Sequence, residues 1–320
     1  MNTRVVGVEI GGTKLQVVLG TLDGAILLRK RGSVDPDAGA KGILAWIEQA
    51  IESTLSELSG QDQVSAMGVG FGGPVHTATG KVLTSHQVAG WDGIALKSWL
   101  TDRFQLPVVI ENDANAAGWA EYCHGAGQGT QNFVYCNIGS GIGGALVANG
   151  ALYNGQGYGA CEIGHTYVPD WTASVPGASE KLENLCSGWS ITSRIQRWEG
   201  IAPDSPLGVR CRGNAALLTC PMLAETANEG DDRALKEIEA IAGGVGAALT
   251  NVITLLHPER VALGGGVALM GDVLLNPIRS YIAQHVFGPY KERFELVPCA
   301  LEEDVVTVGA LLLASQATTG

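Results

Sequence analysis

No stretch of the sequence is basic. Its 20 lysines and arginines are outnumbered by 32 aspartates and glutamates, giving a formal net charge of −12. Nucleic-acid binders recruit clustered lysine and arginine to the phosphate backbone, so this balance argues against DNA or RNA as a partner. A polyphosphate ligand would have to be held by backbone N–H groups, a helix end, a few local cations or a metal. Paired cysteines are missing as well. The 7 cysteines (Cys123, Cys136, Cys161, Cys186, Cys211, Cys220 and Cys299) are odd in number and widely spaced. They lack the close pairs of a zinc knuckle, and reduced thiols in a cytoplasmic protein are the expectation. No apolar run reaches the roughly 20 residues of a membrane helix. The opening Met1 to Val6 runs straight into a strand-like stretch without a signal-peptide core. Charged residues are scarce at 16%, against 46% hydrophobic, which excludes a disordered chain and allows a sizeable core.

What the chain has in excess is glycine. The 45 glycines among 320 residues exceed the usual share of roughly 7%. They gather in short loops beside apolar runs, which suggests tight turns and close approach of backbone to a ligand. Residues 4–10 and 15–20 are short apolar runs on either side of Gly11-Gly12-Thr13-Lys14, a hairpin with glycines at its tip. A third strand is expected over 21–31. Helical spacing of Ile43, Leu44, Ile47, Ile51, Leu55 and Leu58 predicts an amphipathic helix over 42–58. Strands follow at 64–71 and 108–110, with helices at 94–104 and 114–123. A second glycine-tipped hairpin spans 133–148 around Gly139 to Gly143. The second half reads as helices over 180–199, 214–229 and 231–256, a strand at 260–263 ending in Gly264-Gly265-Gly266, a strand at 295–300 and a last helix over 305–315. No repeat of 20–50 residues is present.

Several stretches could do chemistry. The Gly-Gly-Thr-Lys tip lets backbone N–H groups approach a phosphate, with Thr13 as hydroxyl donor and Lys14 as cation. It is not a P-loop, because the G-x-x-x-x-G-K-[ST] spacing is absent and a strand follows where a helix should. Taken alone it reads as an ordinary turn; a second glycine tip and the Gly264–Gly266 run make a set that suits a nucleotide across strand ends. Glu111-Asn112-Asp113-Ala114-Asn115 falls at a strand-to-helix junction, where Asp or Asn serves as an N-cap. The same place suits a carboxylate that accepts a proton from a substrate hydroxyl, with Asn112 holding that substrate. Glu162 and His165 can face one pocket, or be structural, or ligate a metal, and Glu183 has first-turn placement as its plain explanation.

In this order the motifs resemble the ROK family of sugar kinases and sugar-responsive repressors. The matching stretches are Val8–Lys14, Gly68–Val75, Glu111–Ala117, Asn137–Gly144, Glu162–His165 and Leu263–Val267. The resemblance implies an α/β, two-domain actin-like (ribonuclease H-like) ATPase fold with an interdomain cleft. The expected domains are 1–118, completed by the C-terminal helix 305–320, and 119–304. It implies Asp113 as catalytic base and Gly73, Asn112, Glu162, His165 and Glu183 as sugar ligands. ATP would be held by Gly11, Gly12, Thr13 and Lys14, by Gly139, Ser140, Gly141 and Gly143, and on the adenosine side by Gly264, Gly265 and Gly266. Glu9 stands where the family commonly has Asp and would orient Mg²⁺ bound with ATP. Residues 170–183 contain no cysteine, so the family's structural zinc is not expected. Ser85-His86-Gln87 replaces an Asn-Leu pair near the sugar.

The reading that follows is an ATP-dependent kinase acting on a primary hydroxyl of a small sugar, glucose first, with N-acetylhexosamines, mannose and fructose as alternatives. A repressor would carry a DNA-binding domain ahead of Gly11, where the residues are too few. A catalytically silent sugar sensor is the other alternative, and intact Asp113 argues against it. A homodimer is expected because the family often forms them.

Overall fold

Strand β1, Asn2–Ile10, alternates between two buried faces, and that alternation organises the first half of the protein. The computed structural model describes residues 2–85 and 88–318. By contacts the chain divides into two compact units. Met1–Gln131, Ala145–Cys161 and Cys299–Gly320 make the first, and Asn132–Gly144 with Glu162–Pro298 the second. The first contains β1, β2 (Lys14–Gly20), β3 (Ile26–Ser33), helix α1 (Gly39–Ser56), β4 (Asp62–Phe71), a small β5–β6 pair (Val75–His76 and Lys81–Val82), α2 (Leu96–Phe104), β7 (Val108–Asn112) and α3 (Asp113–His124). Its main sheet runs β3-β2-β1-β4-β7. The β1–β2–β3 part is antiparallel, and β1, β4 and β7 are parallel.

Because side chains alternate along a strand, Val6, Val8 and Ile10 face Ile43, Ile47 and Ile51 of α1. Val5, with Val18 and Ala66, faces Leu311 and Ala314 of the C-terminal helix Val305–Gln316. That second face is paved with glycine. A Cβ on Gly68 would lie 1.9 Å from the carbonyl oxygen of Ala310, and one on Gly309 would lie 1.9 Å from that of Ala116. These glycines serve helix-to-sheet and helix-to-helix contact. Gly68→Ala forces backbone apart, and overpacking of this kind typically costs about 1–3 kcal/mol. Thermal denaturation should register it as a clearly lowered Tm.

The remaining elements are β8 (Phe133–Ile138), β9 (Ile142–Ala148), β10 (Ala151–Leu152), β11 (Tyr167–Pro169), β12 (Ser179–Lys181), α4 (Leu182–Cys186), α5 (Gly188–Ile195), α6 (Pro206–Arg210), α7 (Cys220–Asn228), α8 (Asp232–Leu256), β13 (Arg260–Gly264), α9 (Asp272–His285), β14 (Glu295–Pro298) and α10 (Val305–Gln316). The second sheet runs β10-β9-β8-β13-β14, with β8, β13 and β14 parallel, and the line between the units falls inside β9. Helices α8 and α9 pack closely: a Cβ on Gly246 would lie 2.8 Å from the Tyr281 side chain. Helix α8 is, among the described residues, the one helix long and apolar enough to cross a bilayer, and 56% of its most apolar window is buried within the protein. Its charges, Asp232, Arg233, Lys236, Glu237 and Glu239, gather in its first turns, ahead of an uncharged run over 240–256.

Several expected elements shift for local reasons. The run over 180–199 is two helices, because Ser187 takes an extended conformation and caps α5 by accepting from Ser190 N–H. The run over 214–229 shrinks to α7, started by Thr219, which accepts from Met222 N–H, and by a proline in the first turn. The strand expected over 21–31 begins only at Ile26, after Gly24 turns the chain at φ +85°. The cysteine-free segment after His165 forms the β11–β12 hairpin. Trp171 at its turn sits over Gly244, where a Cβ would come within 2.9 Å of the indole, and the Arg194 guanidinium lies 5.6 Å from the indole's centre. Of Ser85-His86-Gln87, His86 and Gln87 lie outside the described residues.

Candidate active site

In the first unit the turn between β1 and β2 closes through Gly11 N–H donating to the carbonyl of Lys14 at 3.0 Å. Gly11 and Gly12 are half-buried and Thr13 is exposed, while Lys14 already belongs to β2. Behind this turn Glu9 is 7% exposed. Its carboxylate accepts from Gln16 Nε2 at 2.7 Å and stands 3.3 Å from Lys14 Nζ. Burial pushes the Glu9 pKa up, and Gln16 and Lys14 pull against that shift. Lys14 also donates to the carbonyl of Glu303 at 3.4 Å.

The end of β7 is the second feature. Asn112 is the N-cap of α3: its Oδ1 accepts from Ala114 and Asn115 N–H, at 2.9 and 3.2 Å, and its Nδ2 donates to the carbonyl of Gly73 at 3.2 Å. The cap is therefore Asn112, and Asp113 is the first helical residue, relieved of capping. Its Oδ1 accepts from Ala114 N–H at 2.8 Å, and its Oδ2 lies 3.4 Å from the place where a Cβ on Gly72 would be. Glu111, immediately before, is 2% exposed and bonded to amides only: Asn112 N–H at 3.0 Å, Asn115 Nδ2 at 3.1 Å and Asn154 Nδ2 at 2.6 Å. Its pKa is raised by burial, with Asn115, Asn112 N–H and Asn154 opposing.

In the second unit the turn between β8 and β9 takes in Gly139, Ser140 and Gly141, while Gly143 lies inside β9. Gly139 N–H donates to the carbonyl of Gly141 at 2.9 Å, and the Gly139 carbonyl accepts from Gly188 N–H at 2.8 Å. Glu183, on the first turn of α4, accepts from Ile142 N–H at 2.7 Å. A Cβ on Gly141 would come 2.7 Å from the same carboxylate oxygen. Glu183 is thus tied to the glycine turn, a link its sequence position does not announce. Glu162 precedes a short 3₁₀ turn, Ile163–His165, that His165 ends, and both are exposed. Gly264 ends β13, and Gly265 at φ +86° has no room for a Cβ, which would lie 2.3 Å from Asn137 Oδ1; Gly266 faces open space. Among the described residues no three His, Cys, Asp or Glu gather as a metal-binding group.

Sequence reasoning overlooked Asn154. Asn154 bonds Glu111, and in the loop it begins the Gly157 carbonyl accepts from Thr77 N–H at 2.8 Å. The usable signal was an Asn at a strand end together with an acidic residue beside a candidate base.

The model of the ROK family matches residues 5–317. A glucokinase of Halalkalibacterium halodurans is 31% identical over 317 residues, covering 97% of this chain and 94% of that protein. A glucokinase of Thermotoga maritima is 28% identical over 99% of both. Among solved structures, a ROK family glucokinase from Streptomyces griseus in complex with glucose and AMPPNP aligns with a TM-score of 0.80 at 30% identity, over 98% of this chain and 99% of that one.

Proposed function

The chain belongs to the ROK family, and from that premise we propose that it transfers the γ-phosphoryl group of ATP to a primary hydroxyl of a hexose, with glucose as acceptor and Asp113 as general base. It is a sugar kinase with the two-domain actin-like ATPase fold, as its relatives at 30–31% identity are ROK glucokinases or glucokinases. The choice of glucose is supported by those names and by the glucose and AMPPNP of the Streptomyces griseus structure.

The single observation that best supports Asp113 as base is the division of labour at the head of α3. Asn112 takes over the cap and the tie to Gly73, so Asp113 is held in place by Ala114 N–H without being needed for it. In the reaction the Asp113 carboxylate takes the proton of the attacking hydroxyl as its oxygen bonds to the γ-phosphorus. The bond from that phosphorus to the bridging oxygen breaks, and ADP leaves with the electron pair. Asn112, Glu162, His165 and Glu183 bind and orient sugar hydroxyls, with Gly73 beside Asn112. Backbone N–H groups of Gly11, Gly12 and Thr13, the hydroxyl of Thr13, the ammonium of Lys14 and the Gly139–Gly143 turn receive the phosphates. Gly264 to Gly266 lie along the adenosine.

Mg²⁺ arriving with ATP supplies charge neutralisation on the phosphates. Glu9 fits that role as a single buried carboxylate next to the first phosphate turn, held in place by Gln16 and balanced by Lys14.

The test is ADP release with ATP and Mg²⁺ against glucose, mannose, fructose and N-acetylated hexosamines. Highest kcat/KM on glucose is expected. Turnover confined to another sugar would overturn glucose, and ATP-independent binding without turnover on any sugar would overturn the kinase reading.

A further inference from the structure

Glu111 occupies a place that is costly for a carboxylate. It is 2% exposed, and burial pushes its pKa upward. The partners around it belong to two pieces of chain, the head of α3 and the loop that begins at Asn154. Oε1 accepts from Asn112 N–H, at the turn that presents Asp113, and from Asn115 Nδ2 on the first turn of α3. Oε2 accepts at 2.6 Å from Asn154, which begins the 154–159 loop. That loop is fastened a second time where the Gly157 carbonyl receives Thr77 N–H at 2.8 Å and Thr77 Oγ1 at 3.3 Å. Asn115, 1% exposed, leaves its own Oδ1 without a hydrogen-bond partner. Its amide is oriented by what Nδ2 reaches, Glu111 at 3.1 Å and Asn154 at 3.5 Å. A buried acceptor is thus left unsatisfied while the donors converge on one carboxylate, an arrangement that stability alone does not explain.

We propose that Glu111 is a positioning residue for phosphoryl transfer. One carboxylate sets the Asn112–Asp113 turn and pins the 154–159 loop to it, so the base and the loop keep a fixed spacing. The inference rests on Asp113 being the base. A displacement of about 1 Å at such a group can cost on the order of 10²-fold in rate, and a turn supported only by its own cap has that freedom.

The experiment exploits the 2.6 Å bond between Glu111 and Asn154. Asn154→Asp sets carboxylate against carboxylate, and Glu111→Gln sets amide against amide. In the double variant Glu111→Gln/Asn154→Asp donor and acceptor exchange sides and the bond returns. Each single variant should lose about 10-fold or more in kcat with the KM for ATP unchanged, and the double variant should recover to within about threefold of the parent, a positive coupling in the double-mutant cycle. Asn154→Ala, which removes the bonds of a half-buried loop side chain to Glu111 and Asn115, covers the case in which Asn154→Asp does not fold, and should show the same loss confined to kcat. Parental kcat in the single variants beside an inactive Asp113→Asn would overturn the positioning role and leave the base reading standing. A double variant no better than the product of its singles would overturn it too. Turnover retained in Asp113→Asn would overturn the base reading itself.

Discussion

Asp113→Asn should lose a factor of about 10² to 10⁴ in kcat, the usual contribution of a general base, while sugar affinity stays close to that of the parent. The geometry explains why this substitution is clean. An asparagine oxygen can still accept from Ala114 N–H, the bond that holds Asp113 at 2.8 Å. The helix keeps its cap as well, because Asn112 supplies it through Ala114 and Asn115 N–H. What disappears is basicity, since an amide does not take the hydroxyl proton. Steady-state ADP release at saturating ATP and sugar measures the loss, and calorimetric titration with sugar measures the retained binding. A variant that turns over at the parental rate would remove Asp113 from the base role. One that loses sugar binding and rate together would move Asp113 to holding the substrate.

The second large effect concerns stability. Glu121 is fully buried in α3, and its carboxylate receives backbone N–H groups from Ala126 at 2.8 Å, Leu301 at 2.7 Å and Ala300 at 3.0 and 3.1 Å. It ties the C-terminal end of α3 to the start of the segment that leads into α10, some 180 residues further along the chain. Glu121→Ala would take the carboxylate acceptor from three N–H groups, of which those of half-buried Ala126 and Leu301 cost up to roughly 1–3 kcal/mol each and that of exposed Ala300 less, offset in part by relief of the buried charge. A net loss of about 1–4 kcal/mol is expected, read as a lower midpoint in urea denaturation. Glu121→Gln retains one acceptor oxygen and turns an N–H₂ toward the other donors, so its loss should be intermediate. Parental stability in Glu121→Ala would show that the C-terminal segment is held by the packing of α10 on its sheet alone.

Much of the candidate site was legible because its signals are local. Strand, glycine turn and strand can be read at 4–20 and 133–148, since apolar alternation and glycine placement are properties of neighbouring residues. The junction at 108–115 was legible for the same reason: a short β-branched run meets Asn and Asp at a helix start. The sequence left open which of the two was the cap; the hydrogen bonds assign it to Asn112. Glu183 reads as a first-turn acidic residue, and only the fold brings it to Ile142 N–H, 41 positions away.

The sequence by itself determined the element types, the glycine turns, the acidic character and the order of motifs that marks the family, because propensity, periodicity and turn chemistry act over a few residues. The tertiary structure alone decided the surroundings of Glu111 and Glu121. In sequence each is an ordinary acidic residue beside a helix or on one, and solvent would be its default environment. Burial and converging amide donors turn them into fixed points of the fold, and each takes at least one donor from a distant segment, Asn154 for Glu111 and Ala300 with Leu301 for Glu121. Glycine shows the same division: its abundance was plain, but whether Gly68 and Gly309 made room for a ligand or for a helix depended on where α10 packs.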